Sequence, residues 1–401
     1  RFLIHVYVMQ AFSDTLLKGD LSMAVTADVL VVGGGILGLS LAYHAHRRGM
    51  KVVLLERSHR AQGGSVRNFG MVWPVGQPAG ELRDRAIRSR NLWLELAEPA
   101  GIWINPCGSL HVAHAEDEMA VLQEFASDAR QDGFSAEIVD PLEARRLCPG
   151  LKPDQLRGAL HSREECVVDP PQAIAALTNY LAAMGVEIRQ GLPVVAAGSG
   201  YVRTSDGTEY VGGRVLIASG VDFTTLYPSR LSSLGMRVTK LQMLRTVPQP
   251  EADRFGPHLA FGLTLLHYAA FQDCPTLPAL RARLEQDYAE HLALGIHVMA
   301  SRNQRNELVL GDSHVYGTDI TPFDSDKIES LILEYLYDRV DLGDSRIQAR
   351  WHGQYAKHPE KPLVVEDLDR DVVAVLAPGG SGMTMSLGWA DDLWSRWLGI
   401  A

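Results

Sequence analysis

Residues Asp28–Glu56, DVLVVGGGILGLSLAYHAHRRGMKVVLLE, leave the chain few folds to choose from. The apolar run Val29–Val32 has the length of a buried parallel strand. Gly33, Gly35 and Gly38 follow at G-x-G-x-x-G spacing, then a helical stretch from Ile36 to Arg48 ended by Gly49. A second apolar run, Lys51–Leu55, closes on Glu56. Gly33 lets the chain turn off the strand, Gly35 lets backbone approach a pyrophosphate, and Gly38 lets the helix pack on the sheet. The helix N-terminus meets the phosphate charge with free N–H groups. Glu56 stands 21 residues after Gly35, where a carboxylate accepts both hydroxyls of an adenosine ribose and repels a 2′-phosphate. Glycines alone would be weak evidence. Strand, glycines, helix, strand and acid in this order form a dinucleotide fingerprint.

The 401 residues suffice for two domains with sizeable cores. A net charge of −10 argues against nucleic acid or an anionic membrane as the main partner, while leaving room for a local basic pocket. Cys107, Cys148, Cys166 and Cys274 form no C-x-x-C pair, which excludes a local redox dithiol and fits a reducing, cytoplasmic setting. No run is long and apolar enough for an integral membrane segment. Residues 1–22 read as an N-terminal extension without a catalytic role, a misplaced start or a cloning remnant; Phe2–Phe12 resembles a signal peptide only superficially.

Further along, Ala61–Gly80 is a polar, glycine-rich loop long enough to cover a ligand. Helices are expected at Glu81–Glu98, Glu116–Asp132, Pro141–Gly150, Pro170–Met184 (with Asp169 as N-cap), Leu277–Leu294 and Ser325–Tyr337. Strands are expected at Ile102–Ala113 (with a turn at Cys107-Gly108), Val186–Arg189, Pro193–Ala197, Tyr201–Thr204, Glu209–Val211 and Arg214–Ala218. Further strands are expected at Met236–Val247, Leu259–Phe271, Gly295–Ser301, Glu307–Leu310, Ile347–Gly353 and Val372–Leu376. Strands after Met236 lack βαβ alternation, which predicts a separate, mostly antiparallel sheet. The final strand leads through Gly379, Gly380 and Gly382 into a helix, a second strand–glycine–helix unit. The expected class is α/β: a discontinuous Rossmann-like domain (23–98, 160–235, 346–401), its parallel sheet flanked by helices, plus an antiparallel-sheet substrate domain (99–159, 236–345).

The fingerprint, the RNFGMVWP loop, VVDP before a helix, VLIASG and the terminal APGGSGMTMS together resemble the FAD-dependent D-amino-acid oxidase, glycine oxidase and sarcosine oxidase superfamily over nearly all of Ala27–Leu398. The resemblance implies FAD across the first domain and a substrate under the second sheet. It implies oxidation of a C–N bond in a small primary or secondary amine by hydride transfer to flavin N5, then imine hydrolysis. Oxygen or a quinone is the expected electron acceptor. The implied cofactor contacts are Gly33, Gly35 and Gly38 on the pyrophosphate and Glu56 on the ribose, with Arg57 a further contact. Ser65, Arg67, Asn68, Phe69 and Gly70 would run towards the ring, Val195 would meet adenine, and Ser219, Gly220, Gly379, Gly380, Ser381, Gly382, Met383 and Thr384 would complete the cradle.

Two departures bear on the substrate. Where relatives often carry a carboxylate-binding arginine, RWHGQYAKHP offers Tyr355, with Lys357 and His358 close behind. Where sarcosine-oxidase-like members carry an oxygen-activating lysine, ELVLGDSH has Val309. The RNFGMVWPVGQP loop with HVMAS and GDSHVYG looks like a subgroup associated with aminophosphonate breakdown; a phosphonate can be held by several donors without one bidentate arginine. The expected catalytic set is His297, His314, Tyr355 and Lys357. The expected substrate contacts are Trp73, Gln77, His267 and Tyr268. Each competes with a plain core role. His111 and His114 lack partners at metal-ligand spacing, so no metal is expected. Two other readings stay open: a protein that binds a dinucleotide without turnover, and an NAD-dependent dehydrogenase of a small hydroxy or amino acid. The oligomeric state is left open.

Overall fold

A computed structural model describes residues 25–400, so the expectation for residues 1–22 lies outside the described residues. Val25–Val32 is central to the first, eight-stranded sheet, with Val52–Glu56 parallel on one side and Glu209–Ile217 parallel on the other. Glu187–Gln190 extends the sheet beyond Val52–Glu56, and Val372–Leu376 runs parallel to the end of Glu209–Ile217. Every side chain from Val29 to Val32 is buried, as expected of a parallel strand covered on both faces. Helices Ile36–Arg47, Pro170–Met184 and Gly382–Trp397 pack over one face through Leu39, Leu41, Ile174, Leu177, Leu387 and Trp394. Asp169 caps its helix, accepting from the Gln172 N–H.

The second sheet has nine strands. Arg237–Pro248 lies in it with Val315–Gly317, Glu307–Gly311 and Ile347–Lys357 as antiparallel partners, and Met299–Arg302 continues beyond Glu307–Gly311. Its one parallel pairing joins His258–Phe261 to Ser109–Ala113. Helices Glu116–Gln131 and Asp326–Arg339 contribute Val121, Leu122, Phe125, Leu331, Ile332 and Leu336 to its core. Met71–Val72, Cys166–Val168 and Ile104–Asn105 form a small third sheet.

Several expectations need correction. Leu259–Phe271 is not one strand: it pairs only over His258–Phe261, then coils into the helix Gly262–Leu265. A continuous apolar run reads the same in either state, and here Thr264 decides it by donating its hydroxyl to Phe261 O and accepting the His267 and Tyr268 N–H groups on its carbonyl. Glu209–Val211 and Arg214–Ala218 are one strand, Glu209–Ile217. The Gly212-Gly213 pair between them is no turn; a Cβ on Gly212 would sit 2.7 Å from Leu30 Cγ, so close packing sets that position. The helix expected over Leu277–Leu294 breaks at Tyr288 into Leu277–Asp287 and Ala289–Ala293. Pairing at Gly295–Ser301 starts only at Met299. Ile347–Lys357 outruns its expected end at Gly353 and belongs to the second sheet, as does Gly158–Ser162, so the expected domain boundaries at 346 and 160 cut through that sheet. Among the described residues no helix is long and apolar enough to cross a membrane.

Candidate functional site

The glycine turn follows from contacts a side chain would forbid. Gly33 has φ +109°, and a Cβ there would lie 2.3 Å from Ala218 O; a Cβ on Gly38 would lie 1.9 Å from Gly33 O. Helix Ile36–Arg47 therefore starts directly on the turn. No side chain of its own caps it and no acid occupies its first turn. Ser65 Oγ, from the following loop, accepts the Ile36 N–H at 3.0 Å. Glu56 Oε2 accepts the Gly34 N–H at 2.7 Å and its Oε1 the Ser58 N–H at 2.9 Å. The start of helix Gly382–Trp397 is similarly bare of acids and of a side-chain cap, and Thr384 Oγ1 accepts the Trp73 N–H at 2.9 Å. Two acid-free helix N-termini on one cavity fit a pyrophosphate and a polar ring edge.

That cavity holds about 580 Å³. Gly35, Arg57, Ser65, Asn68, Phe69, Ser219, Gly220 and the whole run Gly379–Thr384 line it, as expected of cofactor contacts. Gly33, Gly38 and Glu56 shape the turn from beneath. Arg57 spends its charge on Asp222, 3.1 Å away, and Asn68 closes its own loop, donating to Gly64 O and accepting from Gly70 N. Gly33, Gly38 and Glu56 do not line it, and three further expected contacts do not line it either. Arg67 turns its guanidinium to His352 O. Gly70, at φ +78°, answers to Val168 O, 2.0 Å from where a Cβ would be. Val195 is 48% exposed on the strand Val194–Gly198.

Trp73 and Gln77 from the Ala61–Gly80 loop, and His267, Tyr268, His297, His314, Tyr355 and Lys357 from the second sheet and its connections, all reach the same cavity, with Leu241, Met243 and Met299 as apolar wall. The longer strand explains two of them: Tyr355 and Lys357 alternate on one face of Ile347–Lys357. The Tyr355 hydroxyl lies 3.4 Å from where a Gly380 Cβ would stand, so the cluster adjoins the terminal glycine loop. His297 and Asp312 exchange backbone hydrogen bonds, 3.2 and 3.1 Å, setting them side by side. His267 arrives from the turn after Gly262–Leu265 and presents its ring to the cavity.

Sequence spacing did not show that His267, His297 and His314, each expected at the site, would meet. His267, His297 and His314 bring ring nitrogens within 4.8 Å of one another, near enough to raise a metal site. Only His297 and His314 stack, with centroids 4.5 Å apart and 21° between planes, while His267 tilts by 34° to His297 and 42° to His314 at 3.8 and 4.6 Å. Ligands of one ion instead radiate from a centre about 2.0–2.1 Å from each nitrogen. Crowding at the cavity wall first, then neighbouring Lys357, lowers His267 even though its side chain is open to solvent; burial keeps His297 and His314 well below the ordinary imidazole range. Burial also lowers Lys357 and raises Tyr355. The cluster thus offers neutral donors and acceptors beside one amine.

Asp312 was not among the expected residues. It lines the cavity, is 4% exposed, and its Oδ1 lies 3.4 Å from His297 Nε2. The available signal was its spacing in GDSH: positions i and i+2 of extended backbone share a face, so His314 carries Asp312 with it.

The sequence profile of the family described as FAD dependent oxidoreductase matches residues 28–394. Human mitochondrial sarcosine dehydrogenase is 29% identical over 173 residues, 42% of this chain and 19% of that protein. The anaerobic glycerol-3-phosphate dehydrogenase of Escherichia coli (strain K12) has a chain 29% identical over 154 residues, 38% of this chain and 28% of that one. The aligned parts cover under a third of either relative. Glycine oxidase from Bacillus cereus ATCC 14579 superimposes with a TM-score of 0.76 at 18% identity, over 94% of this chain and 96% of that one, a likeness of fold.

Proposed function

This chain belongs to the FAD dependent oxidoreductase family, and from that premise we propose that it oxidises the C–N bond of a small primary or secondary amine carrying an anionic group, an amino acid or an aminophosphonate. FAD is its cofactor, which removes the nicotinamide reading; bound FAD supplies the two-electron acceptor for the reaction. The observation that carries the proposal is one cavity shared by two glycine loops and a histidine–tyrosine–lysine cluster. The glycine turns and bare helix ends would hold the pyrophosphate and ring edge, with Glu56 towards the ribose. The first sheet is the FAD-binding unit in this reading, and the second roofs the substrate.

Within that frame, Lys357, Tyr355 and His267 hold the anionic group. Several donors replace the bidentate arginine of relatives, an arrangement suited to the three oxygens of a phosphonate. Trp73, Tyr268 and Met299 exclude water around the reacting carbon and orient it. Oxygen or a quinone then takes the electrons.

The test is anaerobic bleaching of the flavin by a panel of glycine, N-methylglycine, D- and L-amino acids, 2-aminoethylphosphonate and glycerol 3-phosphate. An amine that bleaches the yellow protein supports the proposal. Bleaching by glycerol 3-phosphate alone overturns the amine reading, and bleaching by nothing favours a binding role. Reoxidation by air or by a soluble quinone separates the acceptors.

A further inference from the structure

We propose that Asp312 takes the proton from the substrate's ammonium, in a dyad with His297. The proposal rests on the amine reading above and adds to it an acid–base group. An amine enters as its ammonium at neutral pH, and an ammonium nitrogen has no free electron pair with which to assist departure of hydride from the neighbouring carbon. A group in the cavity that receives a proton lets the ammonium, the dominant form at neutral pH, be used directly. Two carboxylates line it: Glu360 is exposed at its rim, and Asp312 is buried among the imidazoles.

The position is built, and its polar atoms are unspent. Asp312 Oδ1 has no hydrogen-bond partner, nor does either ring nitrogen of His297 or Nδ1 of His314. Oδ1 lies 3.4 Å from His297 Nε2, and Oδ2 lies 3.9 Å from His314 Nε2. A buried carboxylate without a partner is costly; an ammonium arriving beside Oδ1 supplies one. Tyr268, Tyr316 and Tyr355 face Asp312 from three other segments, and His267, His314 and Lys357 face His297. The backbone exchange between Asp312 and His297 keeps the two side by side. In the step itself a substrate N–H bond breaks, nitrogen keeps the electron pair, and an O–H bond forms on Asp312, with His297 held neutral beside it. The dyad gains one proton, the substrate loses one, and no electrons change hands until the C–H bond breaks.

The experiment uses FAD-loaded wild type, Asp312→Asn and His297→Gln, with flavin absorbance confirming that each variant folds. Anaerobic bleaching rates are measured from pH 6 to 10 with glycine, N-methylglycine and 2-aminoethylphosphonate. Asp312→Asn should slow bleaching at pH 7 by about 100-fold or more. Its rate should then climb about tenfold per pH unit, up to the free amine's own pKa. Superimposable pH profiles overturn the proposal, as does a variant that only raises the half-saturating concentration. If no amine bleaches the wild type, the amine reading fails by itself. The dyad is still decided by nitrogen-15 resonances of labelled histidines: the His297 signals shift in Asp312→Asn if the two share a proton, and unchanged signals overturn it.

Discussion

Glu56 closes the glycine turn on itself: its Oε2 holds the Gly34 N–H at 2.7 Å while Oε1 holds the Ser58 N–H at 2.9 Å. The carboxylate is thus fixed before any ribose meets it, with lone pairs left over for hydroxyls. Glu56→Arg loses the acceptor and places a cation among N–H donors. A charge-assisted bond to a buried-side partner is worth about 1.5–3 kcal/mol, so FAD affinity should fall roughly 10- to 100-fold. Flavin occupancy after exhaustive dialysis measures it, and full retention would remove Glu56 from the ribose site.

Gly38→Ala tests the packing half of the fingerprint. The new methyl would stand 1.9 Å from Gly33 O, a backbone atom that cannot swing aside. Helix and turn must separate, at a cost of about 1–3 kcal/mol by comparison with other overpacked sites. The variant should melt several degrees lower and release FAD, both visible in one thermal scan followed by flavin fluorescence.

The first sheet and its glycine turn were legible because every step there is local: strand, turn, helix and acid follow one another within Asp28–Glu56. Tyr355 and Lys357 were legible from their place in RWHGQYAKHP. His267, His297 and His314 were each named for the site, but their contact with one another was not legible, because they come from three segments whose meeting depends on sheet register and on an unexpected turn at Thr264. Asp312 was hidden beside a residue already singled out. Arg67 and Gly70 show the converse error. Both sit in the correct loop, yet serve neighbouring backbone at His352 and Val168.

Glu165 should give stability a pH dependence of its own. Its carboxylate, fully buried, accepts the Val75 N–H and the Ser109 hydroxyl, fixing the loop that carries Trp73. Burial raises it from 4.5 to about 7. The folded protein therefore binds this proton more tightly than the unfolded chain, so the contribution is fully present below 4.5 and is lost as pH rises to about 7. At about 1.4 kcal/mol per unit the loss is on the order of 3 kcal/mol. Denaturant unfolding of Glu165→Gln between pH 4.5 and 8 should lack that decline; an unchanged slope would assign it elsewhere.

Lys357 tests the anion-holding half of the site. It ends the strand Ile347–Lys357 with its ammonium 5.2 Å from the centre of the Tyr316 ring, half-buried at the cavity wall. Its main-chain pairing with Arg237 does not depend on the side chain, so Lys357→Met keeps the strand and most of the apolar stem while removing the charge. A group that binds the substrate's anion equally in ground and transition states changes KM and leaves kcat nearly alone. The expectation is a KM raised roughly 10- to 100-fold, from about 1.5–3 kcal/mol of lost charged hydrogen bonding, with FAD still bound. The effect should shrink for an amine without an anionic group, because only the anion's partner has been removed. Steady-state kinetics on N-methylglycine against N-methylbenzylamine make the comparison, and an equal loss on both would move Lys357 out of the anion site.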